Sequence, residues 1–387
     1  MRRLLALAGS IMLAAVASGC SEGDDSSGQT PRPAPQGVER LSTRDGAIVD
    51  EDGDRVLLRG MNAFGEIETG SGITRAELDR MADAGFNVVR LVVHWDTLEP
   101  EAPVDGRHNY RQDALEAIDA SIDRARDAGL YVVLSPVHLF KLSPAFGGRG
   151  IPAWVYQQRG YDLARAEREV ATDSFMHENL YALLRLLAKR YADDPVVAAI
   201  DPVNEPPTAP QDAILDWYRE IAGVVRSAAP ETMILVEPRF GDHNMSTVDL
   251  RRLGDRTNLV LSPHFYYAGG AGDGYGPDGS KNGKYLFDGK ATYHRGSEKD
   301  LEAHLERSTK AAKAAGMPVW IGEFGVGVET EGAREYLEDM TAVMARQGVG
   351  WAFWVHRSND SFSATGNDGA YRPVVEPLSE AARDTGG

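Results

Sequence analysis

Eight short apolar segments rich in β-forming residues recur along the chain from Val38 onward, and this repetition constrains the fold more than any other feature. Helix-patterned segments lie between most of them, including "TRAELDRMADAGF" and "DALEAIDASIDRARDAGL". Each of these two segments ends at a glycine just before the next apolar segment, as helices commonly do. The strand candidates are Val56–Phe64, Asn87–Trp95, Tyr131–Leu139, Val196–Pro206, Thr232–Pro238, Leu259–Tyr266, Pro318–Gly325 and Gly348–His356.

Strands that alternate with helices indicate parallel strands joined by crossover helices. A count of eight favours a closed (β/α)8 barrel over an open doubly wound sheet. An open sheet of the Rossmann type would also need a glycine-rich turn after its first strand, and "MNAFGEIETG" is not one. We therefore predict an α/β protein with a (β/α)8 TIM barrel. A short β-hairpin in "AIVDEDGDRVLL", turning at Asp52-Gly53, is expected to precede it.

The N-terminal segment has the pattern of a secretory signal. "MRRLLALAGSIMLAAVASGC" begins with two arginines, continues with an apolar run and ends in small residues. Its last four residues, Ala17 to Cys20, resemble the lipobox of bacterial lipoproteins, which predicts a lipid anchor on Cys20. Cleavage among the small residues without lipidation, or a buried N-terminal helix, are the alternatives. Residues 1–20 are thus predicted to be a signal peptide with a lipobox.

Residues 21–37, "SEGDDSSGQTPRPAPQG", are predicted to be a disordered linker, because so polar a segment cannot bury enough surface to fold. The folded domain is then expected to span residues 38–387. Cys20 is the single cysteine, so an intrachain disulfide is excluded. No segment after the signal reaches the roughly 20 apolar residues that a membrane span needs.

The formal net charge of −17 argues against nucleic acid and anionic lipid as partners, because both would be repelled. It fits a soluble monomer that acts on an uncharged ligand. The sequence has no zinc-ligand pattern and no HExxH motif, so neither a metal nor an organic cofactor is expected. The glycines at 274, 276 and 279 do not form a nucleotide-binding turn, because Pro277 interrupts them. We interpret that segment as a loop over the cleft after the sixth strand.

The C-terminal ends of barrel strands are where active sites form. Every strand candidate of this chain carries polar or aromatic residues at that end, which a barrel serving only as a scaffold would not need. The sequence therefore predicts an active site at this edge. The residues concerned are Asn62, Arg90, His94, Trp95, Asp96, His138, Asn204, Glu205, Glu237, His264, Tyr266, Glu323, Trp354 and His356.

Glu205 and Glu323 end the fourth and seventh strands, which face each other across the mouth of such a barrel. Two carboxyl groups there can converge on one bond, one as a protonated acid and the other as an ionised nucleophile. Glycoside hydrolysis with retention requires such a pair about 5–5.5 Å apart. The alternative is that either glutamate is a rim residue in a salt bridge.

Two motifs around these glutamates, "DPVNEPP" and "WIGEFGV", resemble the acid/base and nucleophile motifs of glycoside hydrolase family 5, the cellulase family of clan A. Further matches to the pattern are "LLRGMN", "NVVRLVVHW", "VVLSPVH", "HFY" and "WAFWVH". The resemblance runs from Leu57 to His356, and the ordered set with strand-sized spacing is specific. It implies a (β/α)8 glycoside hydrolase domain.

The resemblance also implies a role for each matching residue. Glu205 would be the general acid/base and Glu323 the nucleophile, held by hydrogen bonds from Arg90 and Tyr266. Asn204 would contact the sugar 2-hydroxyl, and Trp354 would form the floor of the sugar site. His138 and His264 would line that site, although either could be a core histidine. Further sugar contacts are expected from Trp95, Trp154, Phe140 and Tyr267, whereas Glu237 is expected to bind sugar or cap a loop.

These observations predict a secreted, lipid-anchored enzyme that hydrolyses β-glycosidic bonds with retention, cutting a β-glucan or β-mannan internally. An endoglycoceramidase-like hydrolase of glycolipids is the alternative within the family. "HWDTLEPEAPV" and "GIPAWV" resemble segments of those enzymes, whereas "LSPVHLF" replaces the Asp/His/Gln-containing run expected on their third strand. A non-catalytic, glycan-binding lipoprotein is the alternative from another class.

Overall fold

The computed structural model describes residues 38–384, except 66, 68–69, 139–149, 207–208, 240–247, 267–292, 294–297 and 360. The expected signal peptide with Cys20, the linker, the loop at 274–279, Phe140 and Tyr267 therefore lie outside the described residues. No helix among the described residues is long and apolar enough to cross a membrane.

A small antiparallel sheet precedes the main sheet. Its strands are β1 (Ser42–Arg44) and β2 (Ala47–Val49), joined by Asp45 and Gly46. The φ angles of these two residues are 51° and 75°, as a two-residue hairpin turn requires. The turn expected at Asp52-Gly53 follows β2. Across it the Val56 amide donates to the Ile48 carbonyl at 2.9 Å and the Asp50 amide to the Asp54 carbonyl at 3.0 Å, around an antiparallel bridge between Val49 and Arg55. The pairing of β1 with β2 is an additional hairpin that the sequence did not predict.

The main sheet is parallel throughout. Its strand order is β8-β7-β6-β5-β4-β3-β11-β10-β9. The strands are β3 (Arg59–Phe64), β4 (Val88–Val92), β5 (Tyr131–Ser135), β6 (Val197–Ile200), β7 (Met233–Val236), β8 (Leu259–Leu261), β9 (His264–Phe265), β10 (Trp320–Phe324) and β11 (Gly350–Phe353).

The two ends of this strand order, β8 and β9, are halves of the predicted sixth strand, separated by Ser262 and Pro263. β8 pairs with β7, whereas β9 pairs with β10. The Leu261 amide also donates a hydrogen bond to the Pro318 carbonyl at 2.9 Å, which joins β8 to the start of β10. The sheet therefore closes with eight strand positions, and the predicted (β/α)8 barrel is confirmed. Pro263 has no N–H to donate, which explains why the sixth strand is interrupted.

Helices follow most of the strands. Gly85 and Gly129, the two predicted helix ends, lie just after α1 and α3 with φ angles of 94° and 74°. Short 3-10 helices span Leu250–Leu253 and Pro373–Val375. The α-helices are α1 (Arg75–Asp83), α2 (Trp95–Leu98), α3 (Gln112–Asp127), α4 (Ala153–Gln157), α5 (Leu163–Glu169), α6 (Ser174–Tyr191), α7 (Gln211–Ala228), α8 (Glu298–Ala315), α9 (Ala333–Gln347) and α10 (Glu376–Arg383).

Two apolar layers pack against the sheet. The smaller layer fills the barrel at the starts of the strands and includes Leu58, Val88 and Trp320. The larger layer lies between the sheet and the helices and includes Trp351. The prediction that Trp320 and Trp351 pack in the core is confirmed, since each is 1% exposed. Apolar side chains thus fill the barrel at the N-terminal ends of its strands, and polar side chains lie at the C-terminal ends of the strands.

Candidate active site

Arg90, on β4, lies at the centre of the polar groups inside the barrel and is fully buried. Its Nη1 donates to Glu323 Oε1 and to Asn62 Oδ1, each at 2.8 Å, and its Nε donates to Asp201 Oδ2 at 2.9 Å. Its Nη2 contacts Asn204 Oδ1, and Glu237 Oε1 at 3.3 Å. One guanidinium therefore connects groups from the first, fourth, fifth and seventh strands.

The charge of Arg90 is secured by its surroundings. Burial opposes that charge, but Asp201, Glu323 and Glu237 together raise the pKa of Arg90 further above its usual range. Removing one partner from such a buried charge cluster typically costs about 3–5 kcal/mol, because the remaining charges lose their compensation. Loss of Arg90 or of one of its partners should therefore destabilise the barrel as well as disturb the site.

A bulge in β10 directs Glu323 into the barrel. Ile321 and Phe324 both pack in the larger apolar layer, between the sheet and the helices. The pairing of β10 with β11 shifts register between these two residues. The additional residue in this interval turns Glu323 inward, as β-bulges commonly do at active sites. A side chain at Gly322 would approach His264 Nε2 to 3.1 Å and the Ser262 hydroxyl to 2.6 Å, so only glycine fits there.

Both carboxylate oxygens of Glu323 are held. Arg90 donates to Oε1 at 2.8 Å, and the Tyr266 hydroxyl donates to Oε2 at 2.9 Å. Burial raises the pKa of Glu323, as does nearby Glu205, and the positive charges of His264 and Arg90 offset this only in part. The two hydrogen bonds fix the direction in which the carboxylate points.

Glu205 lies beyond β6 in an uncommon backbone conformation. The β5–β6 pairing continues past the strand ends, where His138 and Asn204 form a parallel bridge. The next residue, Glu205, has a φ of 50°, a left-handed conformation that costs on the order of 1–3 kcal/mol in a non-glycine residue. Its amide donates to Glu237 Oε2 at 2.6 Å, and its Oε1 lies 2.9 Å from His264 Nδ1. These contacts hold an otherwise unfavourable conformation.

The carboxyl groups of Glu205 and Glu323 converge. An oxygen of each, together with a ring nitrogen of His264, lies within 4.8 Å of the others. This agrees with the separation of about 5–5.5 Å for a retaining pair and is shorter than the roughly 6.5–9.5 Å of an inverting pair. Three such atoms could also accept a cation, but Arg90 already supplies positive charge at 2.8 Å from Glu323. We therefore assign no metal to this cluster.

His264, at the start of β9, links three carboxyl groups. Its Nδ1 lies 2.9 Å from Glu205 Oε1 and 3.5 Å from Glu323 Oε2, and its Nε2 lies 3.2 Å from Glu237 Oε1. Burial alone would lower the pKa of His264, but Glu237, Glu323 and Glu205 raise it well above its usual value. This histidine is therefore part of the charge network rather than an apolar core residue.

The remaining expected site residues lie on one side of the cluster. Asn204 Nδ2 lies 3.4 Å from His138 Nε2. The ring centroid of His138 is 6.1 Å from that of half-buried Trp354. Phe64 packs against both rings, with its ring centroid 5.3 Å from that of Trp354 and 5.8 Å from that of His138. The structure therefore brings Arg90, His138, Asn204, His264, Tyr266 and Trp354 together with the two glutamates.

Phe64, Asp201 and Glu237 are the residues whose roles sequence reasoning missed. Phe64 is the last residue of β3, so its position at a strand end was the available signal. Asp201 is the first polar residue after the apolar run before "NEPP" and is fully buried against Arg90. Glu237 is 2% exposed and contacts protein groups through both oxygens: Oε2 accepts from the Glu205 amide in the segment after β6, and Oε1 lies near His264.

Two of the expected sugar contacts are wrong. Trp95 and Trp154 pack edge to face with ring centroids 6.3 Å apart, and both are buried. The Trp95 indole donates to the Glu99 carboxylate and the Trp154 indole to the Glu99 carbonyl, each at 3.0 Å. Both tryptophans therefore belong to the packing under the loop after β4, because their polar atoms are satisfied within the protein.

Comparison with known families supports the interpretation of the fold and the site. The model of the family described as Cellulase (glycosyl hydrolase family 5) matches residues 49–360. The chain belongs to glycosyl hydrolase family 5. The match covers all strands of the barrel and every expected site residue from Arg90 to Trp354.

Curated relatives of this family 5 chain include enzymes with different named substrates. "Probable glucan 1,3-beta-glucosidase A" of Neosartorya fischeri is 32% identical over 201 residues, which cover 50% of this chain and 42% of the relative. "Major extracellular endoglucanase" of Xanthomonas campestris pv. campestris is 31% identical over 247 residues, which cover 57% of this chain and 48% of the relative. The chain thus matches less than half the length of either relative.

A solved structure supports the fold of this family 5 chain. It is endo-glycoceramidase II from Rhodococcus sp. in a cellobiose-like isofagomine complex, with a TM-score of 0.68 and 22% identity. The similarity covers 86% of this chain and 81% of the other. At this identity the similarity shows the fold alone.

Proposed function

We propose that this chain is a β-glycoside hydrolase that acts with retention through Glu205 and Glu323. The observation that carries the proposal is the convergence of their carboxyl oxygens within 4.8 Å at the C-terminal end of the barrel. Membership of glycosyl hydrolase family 5 supports it. Glu323 lies within β10, and Glu205 directly follows the bridge between Asn204 and His138, so both are attached to the sheet, which holds catalytic groups more rigidly than a free loop does.

The reaction takes two steps. Glu323 attacks the anomeric carbon while Glu205 gives its proton to the departing oxygen, so a glycosyl-enzyme bond forms as the glycosidic bond breaks. Glu205 then takes a proton from water, whose oxygen attacks the same carbon and releases Glu323. Two displacements at one carbon restore its configuration. Glu205 begins the cycle protonated and regains its proton at the end.

The residues around the pair have supporting roles in this proposal. Arg90 and Tyr266 orient Glu323, since each donates to a different oxygen of its carboxylate. Asn204, fixed by Arg90 and His138, is placed to meet the sugar 2-hydroxyl. Trp354 offers an apolar ring face that suits the C–H face of a sugar.

The substrate we propose is a β-glucan or β-mannan cut internally. The names of the relatives, a glucan β-glucosidase and an endoglucanase, support a β-linked glucan most directly. The test is to incubate the purified protein with β-1,3- and β-1,4-glucans, mannan and xylan, and to follow new reducing ends together with chain length. The first anomer of the product, observed by NMR, should have the configuration of the substrate. Inverted product, or no turnover on any β-glycoside, would contradict the proposal.

Glycolipid hydrolysis is the second candidate. The segments "HWDTLEPEAPV" and "GIPAWV", which resemble those of endoglycoceramidases, favour testing it. Glycosphingolipids belong in the same screen, with the matching free oligosaccharide as the competitor. Release of an intact oligosaccharide from the lipid, faster than cleavage of any glucan, would select this candidate. Binding of glycans without turnover would instead select the non-catalytic glycan-binding lipoprotein.

We also propose that the enzyme is secreted as a monomer and anchored by lipid at Cys20. The name of the Xanthomonas relative, an extracellular endoglucanase, supports export. In a bacterial host that processes lipoproteins, the full chain should enter the membrane fraction and incorporate labelled palmitate. Cys20→Ser should release it unlabelled with unchanged activity, because residue 20 precedes the predicted catalytic domain and supplies no residue of the proposed site. Ser21→Ala is the matched control and should remain anchored; a wild-type chain without label would contradict the anchor.

A further inference from the structure

Glu237 is a third glutamate in the site, to which the proposed reaction gives no role. It directly follows β7 and is buried. One of its oxygens, Oε2, accepts a hydrogen bond from the Glu205 amide at 2.6 Å. The other, Oε1, lies 3.2 Å from His264 Nε2. Through His264, whose Nδ1 lies 2.9 Å from Glu205 Oε1, Glu237 also reaches the side chain of Glu205.

We propose that Glu237 is a positioning residue that fixes the general acid/base Glu205 by both its main chain and its side chain. The inference rests on the proposed function, since it assumes that Glu205 acts as the acid/base. The contacts form a closed ring that runs from the Glu205 amide through Glu237 and His264 back to the Glu205 carboxyl group. Such a ring is closed only when all three side chains hold one arrangement.

The main-chain contact matters because of the backbone at Glu205. Its φ of 50° is a conformation that non-glycine residues rarely adopt without support from neighbouring groups. The amide of Glu205 donates to the buried carboxyl group of Glu237 at 2.6 Å, and a hydrogen bond in such a water-excluded site is stronger than one in water. Glu237 therefore stabilises the conformation that directs the Glu205 side chain toward Glu323.

The side-chain contact determines which oxygen of Glu205 carries the acidic proton. Burial and the charge of Asp201 raise the pKa of Glu237 to about 8, against the lowering effect of His264 and Arg90. The surrounding carboxyl groups raise the pKa of His264 well above its usual value, which favours the ring with a hydrogen on both nitrogens. In that form His264 Nδ1 donates to Glu205 Oε1. The remaining oxygen, Oε2, is then the one that delivers the proton to the leaving group.

Asp201 provides a contrast within the same charge cluster. It is also fully buried and also contacts Arg90, through a bond from Nε at 2.9 Å. Arg90 in turn holds the nucleophile Glu323. Loss of the Asp201 charge should therefore impair the attack by Glu323, whatever the leaving group. Glu237 contacts Arg90 only at 3.3 Å, and its shorter bond is to Glu205. Its loss should therefore impair mainly proton delivery, which matters only when the leaving group needs a proton.

The experiment compares two substrates with one sugar and different leaving groups, 2,4-dinitrophenyl β-cellobioside and methylumbelliferyl β-cellobioside. The main variant is Glu237→Met, which keeps the volume and removes the contacts with the Glu205 amide, with His264 and, at 3.3 Å, with Arg90. We expect the first-step rate, measured as the initial burst of leaving group, to fall by about 10²-fold for the poorer leaving group and by no more than about 3-fold for dinitrophenolate. Asp201→Asn is the matched control and should lower both rates by the same factor. Glu237→Gln, which can still accept from the Glu205 amide, should recover part of the loss.

Glu237→Asp covers the case in which Glu237→Met does not fold, as judged by thermal unfolding. It keeps the charge beside Arg90 but is one methylene too short for both contacts, so it should show the same selective loss. Equal losses on the two substrates, or no loss, in the folded variant would overturn the inference. Failure of the proposed function would give a different result. The wild-type protein would then release neither leaving group faster than Glu323→Ala does, and the same would hold for the corresponding β-mannosides and β-lactosides.

Discussion

Replacing Glu323 by alanine is expected to lower kcat on every β-glycoside by roughly 10⁵-fold or more, because no glycosyl-enzyme can form without the nucleophile. The cavity left by the side chain would admit a small anion. Azide should therefore restore turnover of an activated β-glycosyl fluoride by direct attack from the vacated face, giving the glycosyl azide of inverted configuration. The measurement is fluoride release with and without azide, followed by assignment of the anomer by NMR.

Glu329→Ala is the matched control for this variant. Glu329 lies close after β10, and its side chain is 80% exposed and paired with Arg372 at 2.6 Å. Because it does not contact the site, this variant should keep the wild-type rate and should not respond to azide. Thermal unfolding of both variants would separate a chemical effect from loss of the fold. An active Glu323→Ala protein would contradict the assignment of the nucleophile.

The directions of the pKa shifts make the azide experiment necessary. Burial raises the pKa of Glu323, and a raised pKa taken alone would suit an acid rather than a nucleophile. The contacts support the opposite role, because Arg90 and Tyr266 donate to both oxygens of Glu323 and so favour its ionised form. Because an acid needs one oxygen free to carry its proton and both oxygens of Glu323 accept hydrogen bonds, the contacts favour Glu323 as the nucleophile. Retained azide product from Glu323→Ala would show that the two roles are reversed.

The barrel and the reacting pair could be predicted because both leave a local signal in the sequence. Strand-length apolar segments reveal the alternation, and the polar residue that follows each one marks the edge where active sites form. Glu205 and Glu323 each end such a segment, and the structure brings them within 4.8 Å. The sixth strand was predicted to be continuous, but it is interrupted at Pro263. The interruption changes which strands pair but leaves the number of strand positions at eight, so the prediction of a closed barrel still holds.

The charge network could not be predicted because its contacts join residues far apart in the chain. Arg90 lies 111 residues from Asp201 and 147 from Glu237, and nothing near any of them indicates which groups meet. The bulge that turns Glu323 inward depends on register between β10 and β11, which side-chain patterning does not specify. Burial of Trp95 was not predicted for a related reason, since an aromatic residue near a strand end can face either the cleft or the packing beneath it. Trp154 lies in α4 and packs against Trp95, a contact between residues far apart in the chain.

Replacing Glu205 by alanine should produce a different failure from Glu323→Ala, because the nucleophile remains. Substrates with poor leaving groups should lose about 10²- to 10⁴-fold in kcat/KM, the usual contribution of a general acid. A dinitrophenyl glycoside needs little protonation, so its first step should survive. The glycosyl-enzyme should then accumulate, because no base remains to activate water for the second step. A burst of dinitrophenolate followed by slow turnover is the expected time course.

Azide should accelerate this slow turnover, since an anion needs no general base to attack the glycosyl-enzyme. It would arrive from the face that the leaving group vacated, so the glycosyl azide should have the configuration of the substrate. Mass spectrometry of the intact protein should detect the accumulated glycosyl-enzyme on Glu323 before azide is added and its disappearance afterwards. Glu329→Ala again serves as the control and should show neither burst nor azide dependence beyond the wild type. If Glu205→Ala lost equal activity on good and poor leaving groups and gave inverted azide product, Glu205 would be the nucleophile.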